Sequence, residues 1–203
     1  MINIDYIKAS GWEDVKEAAL TTIHKNYSGG EITPEWKEKI LLSGHSPIRE
    51  LIIKIKFSDI PRWIADQLVR HNVGVNNYMG TGRSDRIGIP RSEQTMEMLT
   101  EFKQTYNGQS FLHMTRTRMC IGSVSKETRE LIETLVKKLA EFEPELALFC
   151  TPPCIYNGGC KEVFGGCNHL KTFHTSLYGK SYKDEFLNLL DRYKTYRYYM
   201  SGE

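Results

Sequence analysis

No run in this chain approaches the about 20 consecutive apolar residues that a membrane-spanning helix needs, so no membrane partner is expected. An excess of one charge is also missing. The 27 Lys+Arg nearly balance the 25 Asp+Glu, leaving a net charge of +2. Composition therefore offers no general case for a nucleic-acid or membrane partner, and no nucleic acid is expected. The start, Met1-Ile2-Asn3-Ile4-Asp5, has neither the basic residues nor the apolar stretch of a secretion signal, and the expected compartment is the cytoplasm. Repeats, low-complexity tracts and linkers are absent as well. What remains is a chain of 203 residues with 40% hydrophobic and 26% charged residues, values close to a soluble globular average. A chain of this length buries roughly 70% of its unfolded surface, enough for a full core.

The hydrophobic pattern gives one α+β domain over residues 1–203, with an antiparallel sheet packed with helices. Residues 1–9 alternate weakly, as a first strand would. Trp12 to about Asn26 has a helical pattern, with Val15, Ala18, Ala19 and Ile23 on one face. Pro34 suits the first turn of a helix carrying Trp36, Ile40 and Leu41. Leu51 to Phe57 alternates apolar residues with lysines, the signature of a half-buried strand. Ser58-Asp59 then caps a helix with Pro61 in its first turn, ending near Arg70-His71-Asn72. Val73 to Ile89 reads as a strand followed by a polar loop, and Ser92 to Tyr106 as a helix. Phe111 to Cys120 fits helix or strand. Ser125 caps an amphipathic helix carrying Leu131, Ile132, Leu135, Val136 and Leu139. A Cys-rich loop over 150–170 and a Tyr-rich C-terminal helix over 181–200 complete the chain.

Between Gly44 and Arg86 the residues gather into a pattern with chemistry in it. Gln67 and Arg70 lie three apart on one helix face, followed by His71, Asn72, Asn76, Asn77, Arg83, Asp85 and Arg86. Arginine offers a planar fork for phosphate, and asparagine or histidine can read the edge of a heterocycle. Glycines at 74, 80 and 82 would let a ligand approach the backbone. The cluster fits a phosphorylated, base-bearing small molecule. A solvated loop placing basic residues at a helix C-terminus explains the same residues with no ligand.

The five cysteines are few, but four of them fall between Cys150 and Cys167. Cytosolic thiols stay reduced, so disulfides are not expected. Thiolates separated by prolines and glycines suit a loop wrapped around a metal, most simply a structural zinc with four ligands. Buried thiols in a reducing compartment are the plain alternative, and an iron–sulfur cluster a minor one.

Four segments, in order, resemble the flavin-dependent thymidylate synthase family. Gly44-His45 followed by Glu50, then a strand and Gln67-Leu68-Val69-Arg70-His71, is similar to that family's Gly-His…Glu and Gln-x-x-Arg-His-Arg elements. Asn107-Gly108-Gln109-Ser110 with Arg118 is similar to its Asn-Ala-Arg-Ser segment and following Arg. Glu127-Thr128-Arg129 is close to its Glu-Ile-Arg, and the cysteines from Cys154 to Cys167 look like the tail of some members. The resemblance implies a ThyX-like fold and a homotetramer with active sites shared between subunits. It also implies FAD as cofactor, NADPH and methylenetetrahydrofolate as co-substrates, and reductive methylation of dUMP. It places His45, Arg70, His71, Asn72, Asn107, Gln109 and His113 on FAD. Gln67, Gly80, Thr81, Arg83, Arg91 and Arg118 would bind the nucleotide, with Arg70, Arg83 and Arg118 nearest the chemistry. The metal set it implies is Cys120, Cys154, Cys160 and Cys167, for any one of which Cys150 or His169 could substitute.

The sequence departs from that pattern at several points. Asn72 stands where the family has a third basic residue, and Leu51 where it has a histidine after the glutamate. Gly80, with Thr81 beside it, stands in place of a serine, and Arg83 matches the family arginine only with a one-residue insertion. The long helical insert is nearly absent. Non-ligand readings apply too: His45 as a loop cap, His113 as a core histidine among Phe111, Leu112 and Met114, and Arg129 as a helix-surface ion pair. Arg116 and Arg118 read equally as surface charges, with Arg118 preferred by register. The functional readings are therefore the thymidylate synthase, a relative acting on a different pyrimidine nucleotide, and a non-enzymatic nucleotide-binding or metal-stapled protein.

Overall fold

The computed structural model describes residues 2–163, 166–169 and 189–201. Four strands form one antiparallel sheet in the order β1-β2-β4-β3: β1 (Asn3–Ser10), β2 (Ile52–Pro61), β3 (Val75–Met79) and β4 (Leu99–Asn107). With its helices this is an α+β fold. Contacts gather into two compact units, Met1–Gly30 with Ser46–Phe111, and Glu31–His45 with Leu112–Glu203.

In the first unit the alternation of β2 does what the sequence pattern requires. Ile53, Ile55 and Phe57 are fully buried while Lys54 is exposed. They lie opposite Tyr106, Gln104 and Phe102 of β4, also fully buried, with the Phe57 and Phe102 rings stacked 6.5 Å apart. Burying each such apolar side chain contributes about 1.5–3 kcal/mol. In β1, Ile4 and Ile7 are an odd number of residues apart and would face opposite ways in a regular strand. A bulge between Ile4 and Tyr6 turns both to the buried side, opposite Phe57 and Ile55. Helix α1 (Trp12–Thr21) is shorter than its pattern suggested; it buries Trp12 and Val15 and packs on a 3-10 turn, Ser46–Glu50.

Two stretches fold otherwise than their local pattern suggests. Ser58 and Asp59 do not cap a helix: β2 runs on to Pro61 through a second bulge, with Asp59 left-handed at φ 55. Helix α3 (Arg62–Val69) starts without a side-chain cap because the carbonyls of Met98 and Met96 accept from the Arg62 and Trp63 N–H groups at 3.0 and 3.1 Å. The helix expected over 92–106 is a 3-10 turn, Arg91–Glu93, followed by β4. Its Phe102-Gln104-Tyr106 face is buried and Glu101 and Lys103 are exposed, a period of two rather than 3.6. The loop after β3 contains a single turn, α4 (Ser84–Ile87). The segment that fitted helix or strand is helix α5 (Gly108–Arg118).

Among the described residues the second unit carries the helices α2 (Pro34–Ser43), α6 (Lys126–Ala140), α7 (Pro144–Leu148), α8 (Pro153–Asn157) and α9 (Leu189–Ser201). Residues 181–188 of the expected C-terminal helix, and 164, 165 and 170 of the expected Cys-rich loop, lie outside the described residues. Thr33 and Ser125 accept from backbone N–H groups at the starts of α2 and α6, and α6 buries the apolar stripe read from its sequence. Lys37 ties α2 to Glu143 at 2.9 Å and Glu145 at 3.6 Å.

No further turn follows the one-turn helices α7 and α8; Ala147 O accepts from Cys150 N at 3.1 Å, and acceptor capacity remains on it and on the carbonyls of Cys150 and Tyr156. Two arginines of α9 supply the donors. Arg192 Nη2 bonds Tyr156 O at 2.6 Å, and Arg197 Nη2 bonds the carbonyls of Ala147 and Cys150. Replacing Arg197 with Met, which keeps the apolar stem and removes the donors, is expected to cost about 1–3 kcal/mol. The check is a lowered melting temperature together with faster amide exchange confined to 144–157. A variant melting like the parent would mean that water satisfies these carbonyls equally well.

Candidate functional site

The sequence cluster around Arg70 sits at the C-terminal end of α3, in the first unit. That end is held from below by two amide side chains. Gln104, fully buried on β4, donates from Nε2 to Asn77 Oδ1 at 2.6 Å and to Leu68 O at 3.4 Å. Asn77, on β3, donates from Nδ2 to His71 O at 3.3 Å. Two carbonyls at the helix end are thereby fixed, and the chain leaves the helix with Arg70 exposed and His71 half-buried. Gln67 is half-buried on the last turn, and Asn72 is exposed. The clamp was not visible in the sequence as a clamp: Asn77 read as one member of the polar cluster suited to a ligand, and Gln104 fell in an expected helix.

The turn after Asn72 brings a second motif to the same place. Gly74 is left-handed at φ 68, and its carbonyl accepts from Asn107 N at 3.1 Å. Ser110 Oγ donates to Val73 O at 2.6 Å, while Asn107 Oδ1 accepts from Ser110 N at 2.8 Å and so caps α5. A Cβ on Gly74 would lie 2.3 Å from Asn107 Nδ2 and 2.6 Å from Ser110 Oγ, so only glycine permits this approach. Arg49, from the 3-10 turn inside the Gly44–Glu50 segment, donates from Nε to Gln109 Oε1 at 2.5 Å. Three segments distant in sequence thus meet, with Arg49, Arg70, His71, Asn72, Asn107 and Gln109 among them. Arg49 joins this group without having been singled out in the sequence. Asn107 is already committed to capping α5. His45, His113 and Arg118 belong to the second unit. His45 and His113 are both exposed, which removes the reading of His113 as a core histidine, and Arg118 is half-buried.

The loop from Gly80 to Gln94 carries the residues expected on the nucleotide. Gly80 N donates to Glu101 O at 2.8 Å, and a Cβ at this position would meet Thr100 Oγ1 at 2.5 Å. A serine would require Thr100 to move, which accounts for the glycine. Thr81 Oγ1 accepts from Arg83 N at 3.2 Å. The Arg83 fork is bidentate on Asp85, at 3.0 and 2.8 Å, with both side chains largely exposed. Such an exposed pair is worth little, so an incoming phosphate can compete for the guanidinium. Gln94 Nε2 bonds Gly82 O at 2.8 Å and Ile89 O at 3.2 Å, holding the loop closed; no sequence signal marked it. Arg91 is exposed on its 3-10 turn.

In the second unit all five thiols are free. Cys150 is buried in the core with its thiol on Leu146 O at 3.4 Å, and burial pushes its pKa up. That position removes it as a substitute ligand. Cys154 is pushed up to about 12, first by burial and then by the thiols of Cys167, Cys120 and Cys160, against a small pull from the Ile155 N–H. The four cysteines of the expected metal set therefore share one neighbourhood. A Cβ on Gly122 would lie 3.7 Å from Cys167 Cβ, and one on Gly166 3.2 Å from Cys160 Sγ. Among the described residues, no three His, Cys, Asp or Glu side chains are arranged to hold a metal ion. His169 packs edge-on to Tyr196 at 6.0 Å, and its pKa is lowered by burial and by Arg129.

No protein-family model and no curated protein matches the sequence. The fold does match solved structures. A flavin-dependent thymidylate synthase, ThyX from Helicobacter pylori complexed with FAD and dUMP, superposes with a TM-score of 0.58 at 12% identity, over 74% of this chain and 99% of that one. A second Helicobacter pylori ThyX structure with FAD and dUMP gives 0.54 at 12% identity, over 71% and 98%. The chain shares the fold of these enzymes.

The raised thiol of Cys154 links stability to pH. Below pH 9.0, the ordinary thiol value, folded and unfolded chains both keep this proton. As pH climbs from there toward about 12, the unfolded chain releases a proton that the native thiol holds, so stability is flat below the window and falls through it. Metal-free protein should lose melting temperature between pH 8 and pH 10.5 more steeply than its Cys154→Ala variant. Parallel slopes for the two proteins would count against the burial of this thiol.

Proposed function

We propose that this protein is a flavin-dependent thymidylate synthase, converting dUMP to dTMP with methylenetetrahydrofolate, NADPH and FAD. One observation carries the proposal. Arg70-His71, the Asn107–Ser110 segment and the 3-10 turn at Arg49 are bonded into one surface, on a fold shared with ThyX. The residues suit a diphosphate-bearing cofactor. The guanidinium of exposed Arg70 and that of Arg49 lie on the same bonded framework as the N-terminal end of α5, a donor-rich setting for phosphate. This chain's residues would hold FAD, which when bound and reduced would supply hydride, with the folate as the source of the carbon. In this reading His45, Arg70, His71, Asn72, Asn107, Gln109 and His113 hold the cofactor. Gln67, Gly80, Thr81, Arg83, Arg91 and Arg118 hold the nucleotide. Arg83 exchanges Asp85 for phosphate, and Arg70 and Arg118 add positive charge beside the reacting base. The assembly is a homotetramer, which light scattering of the same sample measures.

A second reading has its own observation. The backbone at Gly80 is closed against Thr100, so no serine hydroxyl stands there to meet the nucleotide. A ThyX-like flavoenzyme acting on another pyrimidine nucleotide accommodates that loss.

Purified protein should retain bound flavin, seen by absorption near about 450 nm, and should turn over dUMP when supplied with the folate, NADPH and FAD. Arg70→Ala should lower flavin retention at least tenfold while leaving the melting temperature within a few degrees, because Arg70 is exposed. Flavin without dUMP turnover would favour the second reading. Protein that never binds flavin would end both.

The same reading gives Cys120, Cys154, Cys160 and Cys167 a structural zinc. Its support is the shared neighbourhood of the four thiols; to bind, they would have to close to about 2.3 Å from the ion. Elemental analysis of protein purified without added metal should find about one zinc per chain, and Cys160→Ser should lose it and lower the melting temperature. Metal-free protein with these thiols open to alkylation would remove the zinc.

A further inference from the structure

The sheet has two faces, and only one is spent on the core. The register assembles the other. In one row across all four strands, Tyr6 of β1 lies opposite Lys56 of β2, Lys56 opposite Lys103 of β4, and Lys103 opposite Tyr78 of β3. In the next row Lys8 lies opposite Lys54, Lys54 opposite Thr105, and Thr105 opposite Asn76. Opposite residues in a sheet share a face, so four lysines and two tyrosines form a single patch. Lys8, Lys54 and Lys103 are exposed and Tyr78 is 59% exposed.

The charges on this patch are not balanced by the fold. Asp5 and Glu101 both bond Lys56, at 3.0 and 2.9 Å. Among the described residues, Lys8, Lys54 and Lys103 have no ion pair; Lys8 lies over the Tyr6 ring at 5.4 Å and Lys103 over Tyr78 at 5.9 Å. Lys8 directly faces Lys54, a like-charge cross-strand pair that costs stability unless an anion relieves it. Strands lie about 4.8 Å apart, so the tyrosines at the two ends of their row are separated by about 14 Å. That span suits two or three nucleotides, whose bases stack on aromatic rings while lysines meet the phosphates between them. The exposed residues of these two rows are lysines, Tyr78 and Asn76, which suit a polyanion that carries stacking bases better than a membrane surface. We propose that the outer face of the sheet binds a single-stranded polynucleotide. The chain's net charge of +2 hides this because acidic residues elsewhere cancel the patch. The inference does not depend on flavin binding.

The test is fluorescence anisotropy of a labelled oligouridylate 12-mer titrated with the full chain. Saturable binding is expected. If three lysines each neutralise one phosphate, affinity should fall about twentyfold between 50 and 200 mM salt. Lys8→Glu/Lys103→Glu should weaken binding at least tenfold. Its fold is safe to alter, because Lys8→Glu turns a repulsive cross-strand pair into an attractive one, and its melting temperature should equal or exceed the parent's. Tyr78→Ala should weaken binding at least fivefold. Lys137→Glu/Lys138→Glu, the same charge change on α6, should alter it less than twofold. Three results would overturn the proposal: no saturable binding up to about 100 μM protein at 50 mM salt, equal losses from the two double variants, or displacement of the oligomer by UMP at the same nucleotide concentration.

Discussion

A single buried amide governs the geometry of the first unit. Gln104 has no exposure to water, so its N–H groups must find protein partners, and a buried donor left unmet would cost about 1–3 kcal/mol. It finds them in Asn77 and in the carbonyl of Leu68, which joins β4, β3 and the end of α3 in one set of bonds. Asn77 passes the constraint on to His71 O. The exit of the chain from α3 is therefore set by strand side chains together with the local turn bond from His71 N to Leu68 O at 3.1 Å. Arg70 and His71 inherit their positions from that exit, and the Gly74 turn docks the start of α5 beside them.

The departures from the thymidylate synthase pattern have physical counterparts nearby. Gly80 stands where a side chain would collide with Thr100. Gln109, in the position of an arginine, accepts a hydrogen bond from Arg49, so a guanidinium is present at that corner of the surface although it comes from another segment. Arg83, displaced by one residue, is held meanwhile by Asp85. Residue by residue these three positions are mismatches; at Gln109 the folded chain brings the Arg49 guanidinium beside the mismatched side chain.

The second unit rests on a different principle. Helices of a single turn, such as α7 and α8, have no stability of their own, since nucleation of a helix is unfavourable and short runs never recover it. Guanidinium groups from α9 close their ends, and Phe149 packs on Tyr193 with ring centroids 4.8 Å apart. The cysteines gather in the same unit, with Cys150 absorbed by the core and the other four drawn together around Cys154.

Local pattern was enough for much of this chain. The Ile/Lys alternation of β2, the Ser125 cap and apolar stripe of α6, the Pro34 start of α2 and the Arg70-His71 helix end all follow from periodicity and capping within a few residues. The stretch ending at Tyr106 did not, because its polar and charged residues fit a helix as readily as a strand, and only pairing with β2 and β3 on both sides makes it β4. The bulges of β1 and β2 were equally hidden, since they answer to the partner strand. So were the Asn77–Gln104 clamp and the Arg49–Gln109 bond, which join residues 27 and 60 positions apart. The lysine and tyrosine face is the extreme case. Lys8, Lys54 and Lys103 lie far apart along the chain, on three different strands. They become one patch only through cross-strand register, a property of paired strands that no single segment possesses.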